Sequence, residues 1–152
     1  MKQDTGFVLL KLINNDTNDV IFNCIHRFIH DNNDKQICVF NSTNNRVCRE
    51  HVPILHLNQA KFFHGNLVVF DTMSLLFAKN FPNIETIFMY ASNVFWTKNS
   101  YSMFSNMEGL FTTKNLEFIA SNQLMYDTYQ TCWKKPIGIC ENFNYETLKE
   151  LI

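Results

Sequence analysis

Residues 65–92 read GNLVVFDTMSLLFAKNFPNIETIFMYAS, and their pattern decides the fold. Leu67-Val68-Val69-Phe70 is an unbroken apolar run too short for a helix, which predicts a strand buried on both faces. Asp71 ends the run and can cap a following helix, because its carboxylate can accept the orphan N–H bonds of a first turn. Met73, Leu76, Phe77 and Phe81 share one helical face, and Phe81-Pro82-Asn83 stops the helix. Ile84, Ile87, Phe88 and Met89 then predict a second buried strand. A strand, a crossover helix and another strand form the repeating unit of a parallel α/β sheet.

The same alternation extends to both sides. Upstream, Phe7 to Leu10 with Leu12-Ile13 predicts a first strand, and Asn14 to Asn18 a turn in which Thr17 or Asn18 caps the next helix. Val20, Ile21, Cys24, Ile25, Phe28 and Ile29 trace one face of an amphipathic helix. Ile37 to Phe40 and Ile54 to Leu57 read as short strands, with a polar loop from Asn41 to Glu50 between them. Asn58 to His64 has no clear period.

Downstream, Asn93 to Ser100 is a loop holding Phe95 and Trp96. Tyr101 to Thr112 carries Met103, Phe104, Met107, Leu110 and Phe111 on one side of a helix. Leu116 to Ala120 predicts a strand, Asn122 to Trp133 a helix, Ile137 to Cys140 a strand and Asn144 to Ile152 a last helix. The expected fold is a single α/β domain over residues 1–152. It is an open, mostly parallel sheet with helices on both faces, a Rossmann-like three-layer arrangement.

With 46% hydrophobic and 14% aromatic residues, fifteen of them Phe, the 152-residue chain can bury a sizeable core. A net charge of −1 lacks the broad basic footprint of a nucleic-acid binder. About twenty asparagines, with many Ile, Lys and Phe, suggest an AT-rich coding source, viral or parasitic. The odd set Cys24, Cys38, Cys48, Cys132 and Cys140 contains no CxxC pair, and Met1-Lys2-Gln3-Asp4 does not open a signal peptide. Free thiols in a reducing compartment are expected, in the cytoplasm of a cell or an infected host cell. No apolar run reaches the roughly 18 residues that span a membrane.

In an open parallel sheet, ligands bind beyond the carboxyl ends of the strands. Those ends are polar here: Ile13-Asn14, Asn41-Ser42, His56 to Asn58, Asp71-Thr72, Ser92-Asn93, Ser121-Asn122 and Glu141-Asn142. Nucleotide fingerprints are missing, since the four glycines form neither GxGxxG nor GxxxxGK[ST]. There is no GxSxG elbow and no Cys-His motif with family spacing. His26 and His30 lie one turn apart but without HExxH, and a solvated helix face is the better reading, so no metal site is expected.

Candidate bases are Asp71, which can also be a helix cap or a sugar-hydroxyl acceptor, together with His56 and His64. Ser92, Asn93 and Glu141 end strands and can hydrogen-bond a ligand. Trp96, with Phe95 and Tyr101, can stack on a sugar or a base, dock a partner, or cover the sheet edge.

The segments NLVVFDTMSLLFAKNFPN, IFMYASNVFW, FTTKNLEFIASNQLMYDTY and KKPIGICENFNYETLKEL, over residues 65 to 150, resemble the N-terminal domain of GT-B glycosyltransferases, particularly those of large phages. In that family a strand and loop carry the acceptor-side catalytic residue. A later strand gives serine, a polar residue and a helix, here Ala120-Ser121-Asn122, and a last strand runs into a hinge, here Ile137 to Asn144. The resemblance implies an acceptor-side domain with Asp71, His64 and Asn93 as candidate catalytic residues. Ser92, Trp96, Ser121, Asn122 and Glu141 are then substrate contacts.

Three departures bear on chemistry. Ile13-Asn14-Asn15-Asp16 replaces the glycine-rich turn, and Ala91-Ser92-Asn93 stands where the family often holds His or Asp. Asn is no general base. The family's second domain, which makes most nucleotide contacts, would begin where this sequence stops. The expectation is an incomplete sugar transferase with no cofactor in this chain, its nucleotide-sugar donor held by a second protein chain. The alternative is a non-catalytic binding or assembly module that associates with a partner or with itself.

Overall fold

The computed structural model describes residues 4–10, 16–32, 35–42, 51–94 and 107–152, with the side chains of residues 16–18 excepted. Seven strands form one sheet: β1 (Thr5–Val8), β2 (Ile37–Asn41), β3 (Ile54–His56), β4 (Gly65–Val69), β5 (Ile84–Ala91), β6 (Leu116–Ala120) and β7 (Gly138–Ile139). Every neighbouring pair is parallel, in the spatial order β3-β2-β1-β4-β5-β6-β7. The chain is therefore an open α/β sheet of the Rossmann-like, three-layer kind, as its alternating pattern predicts.

The order explains the layers. From β1 the chain steps outward to β2 and β3, then returns to the other side of β1 and steps outward again through β4 to β7. Crossovers between parallel strands are right-handed, so reversing the direction of travel puts the connecting helices on the opposite face. Helix α1 (Asp16–Asp31) covers one face through Ile21, Ile25 and Phe28, packed with Phe7, Val39, Val68 and Phe88. The other face is covered by a 3-10 helix (Leu57–Phe62), α2 (Thr72–Ala78), a helical segment at residues 107–111 and α3 (Gln123–Cys132). There Leu75, Phe111, Met125 and Tyr129 pack on Val8, Leu67, Met89 and Phe118. The final helix, α4 (Tyr145–Leu151), returns to the α1 face, where Tyr145 meets Phe28 edge-on at 4.9 Å between ring centroids.

Several expectations shift in detail. Helix α1 begins at Asp16, so Thr17 and Asn18 fall inside its first turn rather than ahead of it. Val20, expected on the buried face, is exposed. The segment from Asn58 that had no clear period is the 3-10 helix. Most of the loop after Asn41, and residues 95–106 with Phe95, Trp96, Tyr101, Met103 and Phe104, lie outside the described residues.

Of the face expected to bury α2, only Phe81, which lies past the helix end, packs against the core. Met73, Leu76 and Phe77 are 54%, 42% and 41% exposed, while Ser74, Leu75 and Ala78 are fully buried. The cap makes this face tolerable. Asp71 accepts a hydrogen bond from the Ser74 backbone N–H at 2.7 Å and another from the Ser74 hydroxyl at 3.0 Å. With its hydroxyl and N–H satisfied in this way, Ser74 can lie buried against the sheet beside Leu75 and Ala78. A polar residue at the innermost position hides the stripe from a reading by hydrophobicity alone.

Gly65 opens β4 at φ 135°, and a Cβ there would meet the Asp4 carbonyl oxygen at 2.4 Å, so the backbone just ahead of β1 leaves room for glycine only.

The helix phase yields a direct expectation. Leu75→Ala should cost about 2–5 kcal/mol as a core truncation. Leu76→Ala should change stability by less than about 1 kcal/mol, as an exposed position does. Urea unfolding of the two variants checks this, and equal losses would contradict the observed phase.

Candidate functional site

Parallel strands end together, so the carboxyl rim gathers short polar tips from separate parts of the chain. Val69 pairs with Met89, which sets Asp71 beside the end of β5. Ala91 pairs with Ala120 and Ala120 with Ile139, so Ser92-Asn93, Ser121-Asn122 and Glu141 follow on three adjacent strands. Neighbouring strands lie about 4.8 Å apart, so the tips from β4 to β7 stretch over about 14 Å of the rim. Ser92, Asn93, Asn122 and Glu141 are exposed, and Asp71 and Ser121 are half-buried.

Two of the expected site residues already have structural work. Both oxygens of Asp71 accept from Ser74, as above, so this carboxylate serves as the cap of α2. Asn122 caps α3 by accepting from the Met125 N–H at 2.9 Å, and it donates to the Ser121 hydroxyl at 3.4 Å. Ser121 is tied to β5 by its backbone N–H, which donates to the Ala91 carbonyl at 3.1 Å. The Asn93 carbonyl accepts from the Tyr129 hydroxyl at 3.1 Å, which fixes the start of the loop after β5. His56 is likewise a cap: its Nδ1 accepts from the Asn58 N–H at 3.2 Å, and its own N–H donates to Gln59 at 3.0 Å.

His64 is not on this rim. It precedes β4, and the seven residues from His64 to Asp71 span roughly 20 Å of extended chain. The structure therefore separates these two candidate catalytic groups onto opposite edges of the sheet. Trp96 lies outside the described residues.

The last tip of the rim is a strained turn that sequence reasoning missed. Asn142 and Phe143 both sit at φ 51°, a left-handed conformation that costs about 1–2 kcal/mol for a residue such as Phe and less for Asn. The turn is held from beneath by the buried Tyr90. Its hydroxyl donates to the Cys140 carbonyl at 2.9 Å and accepts from the Phe143 N–H at 3.2 Å. Burial pushes that phenol up to about 12, so it stays neutral and able to donate. Asn142 was legible as a left-handed candidate, whereas nothing in the sequence links Tyr90 to a turn fifty residues away.

Nucleophilic and metal chemistry find little footing among the described residues. Cys24, Cys38 and Cys140 are buried, and desolvation raises their thiols from the usual 9.0 to about 12, 12 and 11, which keeps them protonated and inert. Cys132 is exposed. His26 and His51 approach edge-on at 6.0 Å between ring centroids, but no group of three or more metal-ligating side chains occurs among the described residues. Nor is any helix among them long and apolar enough to cross a membrane.

Comparison with protein-family models, with curated proteins and with solved structures returns no match.

The cysteine environments give a measurable contrast. In the folded protein at pH 8, Cys132 should react with a disulfide reagent, while Cys24, Cys38 and Cys140 react only after denaturation, as peptide mapping would show. The pH dependence has a fixed sign. Groups held neutral by burial contribute stability below their unfolded value and lose it as pH rises through the folded one. Denaturation midpoints should therefore fall above about pH 9, where thiols of the unfolded chain ionise, and continue to fall as tyrosines ionise. A flat midpoint from pH 8 to 11 would contradict this.

Proposed function

We propose that this chain is a binding or assembly module that works through the carboxyl edge of its sheet, on a fold shared with the acceptor-side half of GT-B glycosyltransferases. The observation that carries the reading is the make-up of that edge. Met73 and Leu124, 54% and 69% exposed, stand in the first turns of α2 and α3, next to the polar tips of β4 and β6. Large apolar side chains left in water beside a polar rim favour a partner that covers both. Asp71 and Asn122 are engaged as helix caps, which favours recognition over proton transfer at those positions.

A second reading keeps the chemistry. The exposed Glu141 carboxylate stands beside Ser121-Asn122 through the β6–β7 pairing, and it supports an acceptor-side role in a split or truncated sugar transferase whose nucleotide sugar is bound by a second chain. Under that reading Asp71, Asn93 and Glu141 are the groups nearest an acceptor, with Ser92, Ser121 and Asn122 as its contacts.

The two readings part experimentally. Light scattering and pull-down should show a complex with itself or with a partner chain, weakened by the double variant Met73→Asp, Leu124→Asp. A strict monomer with no partner would count against the assembly module. Sugar transfer or hydrolysis from UDP- or GDP-sugars that appears only when a second chain is added, and falls at least about tenfold in Glu141→Gln, would favour the transferase.

A further inference from the structure

We infer that the turn from Cys140 to Asn144 is a two-state latch, closed by the Tyr90 hydroxyl, which couples the carboxyl rim to the seating of α4. Three observations meet there. The first is strain: Asn142 and Phe143 are consecutive left-handed residues, and neither is glycine. Such outliers persist only where the surroundings over-determine them.

The second is the catch. Tyr90 lies on β5 and is buried, and its hydroxyl bridges the two ends of the strained segment, from the Cys140 carbonyl to the Phe143 N–H. The ring supports the same segment, with Phe143 edge-on to Tyr90 at 5.0 Å and tilted against Phe70 at 5.1 Å.

The third is the output. Asn144 closes the turn and caps α4, its side chain accepting from the Glu146 N–H at 3.0 Å and the Thr147 N–H at 3.3 Å. The docking of α4 on α1 follows from that cap. Tyr145 packs on Phe28, the Arg27 guanidinium lies 4.4 Å from the Tyr145 ring centroid, and Arg27 pairs with Glu146.

Closing the latch shows Glu141 and Asn142 at the rim and seats α4. Opening it relieves both left-handed residues, withdraws them from beside Ser121-Asn122 and frees the helix. A ligand or partner that touches Glu141 or Asn142 in only one arrangement shifts the balance by its differential contact. The inference stands apart from the proposed function, because it needs no particular ligand.

Hydrogen exchange followed by mass spectrometry tests it with opposed variants. Tyr90→Phe keeps the ring and removes the catch, so the peptide covering residues 140–152 should exchange about tenfold faster, the effect of two lost neutral hydrogen bonds. Peptides from β1 and β4 should keep their wild-type rates. Asn142→Gly removes a left-handed penalty and should slow exchange of residues 140–152 by roughly threefold or more. The double variant should fall between the two. Faster exchange of every peptide alike in Tyr90→Phe would mean an ordinary core tyrosine and overturn the latch. So would Asn142→Gly that leaves residues 140–152 unchanged or faster, and this variant decides the matter if Tyr90→Phe fails to fold.

Discussion

Leu67, Val68 and Val69 of β4 have no exposure at all, and on either side Phe7 and Val8 of β1 and Ile87 and Met89 of β5 are equally enclosed. Parallel strands so buried must satisfy their backbone groups through one another, and their side chains need an apolar layer above and below. The other features follow from that demand. Helices must lie on both faces, the chain must reverse its direction of travel at β1 and β4, and every strand must present its carboxyl end to the same rim. The polar tips gather because the sheet is parallel, not because they attract one another.

The two faces meet the demand differently. On the α1 side, aromatic rings make a continuous support from Phe28 through Phe7 to Phe143, Tyr90 and Phe70. On the other side Phe111, Phe118, Tyr129 and Trp133 form a second aromatic group, while α2 offers only Ser74, Leu75 and Ala78 to the sheet. Short capped helices cover the sheet, but a seven-residue helix has little area, and three of its five apolar side chains point outward. The exposed stripe of α2, Met73, Leu76 and Phe77, is what a helix this short leaves in water on that side of the molecule.

The rim likewise carries two kinds of polar residue. Asp71, Asn122 and Asn144 use their side chains to start α2, α3 and α4. Ser92 and Glu141 are exposed at the strand ends. The same residue types serve both purposes, because an oxygen that can accept from a helix N–H can equally accept from a ligand. Only the hydrogen-bond partner separates them, and Asp71 and Asn122 have theirs in the helices they start.

The strands, their order along the chain, all but Val20 of the amphipathic face of α1 and the cap at Asp71 were determined by the sequence itself. Each depends on neighbours within a few residues, through apolar runs, helical spacing or a local side-chain acceptor. Three things were decided only by the tertiary structure. The inward face of α2 is one of them: Ser74, Leu75 and Ala78 meet the sheet while the more hydrophobic Met73, Leu76 and Phe77 stay exposed, because packing over the sheet and not the helix's own spacing selects the face. The separation of His64 from Asp71 depends on strand direction, since a buried strand carries its two ends to opposite rims. The turn at Asn142 and Phe143 depends on Tyr90, a contact across fifty residues that only the closed sheet brings within hydrogen-bond distance.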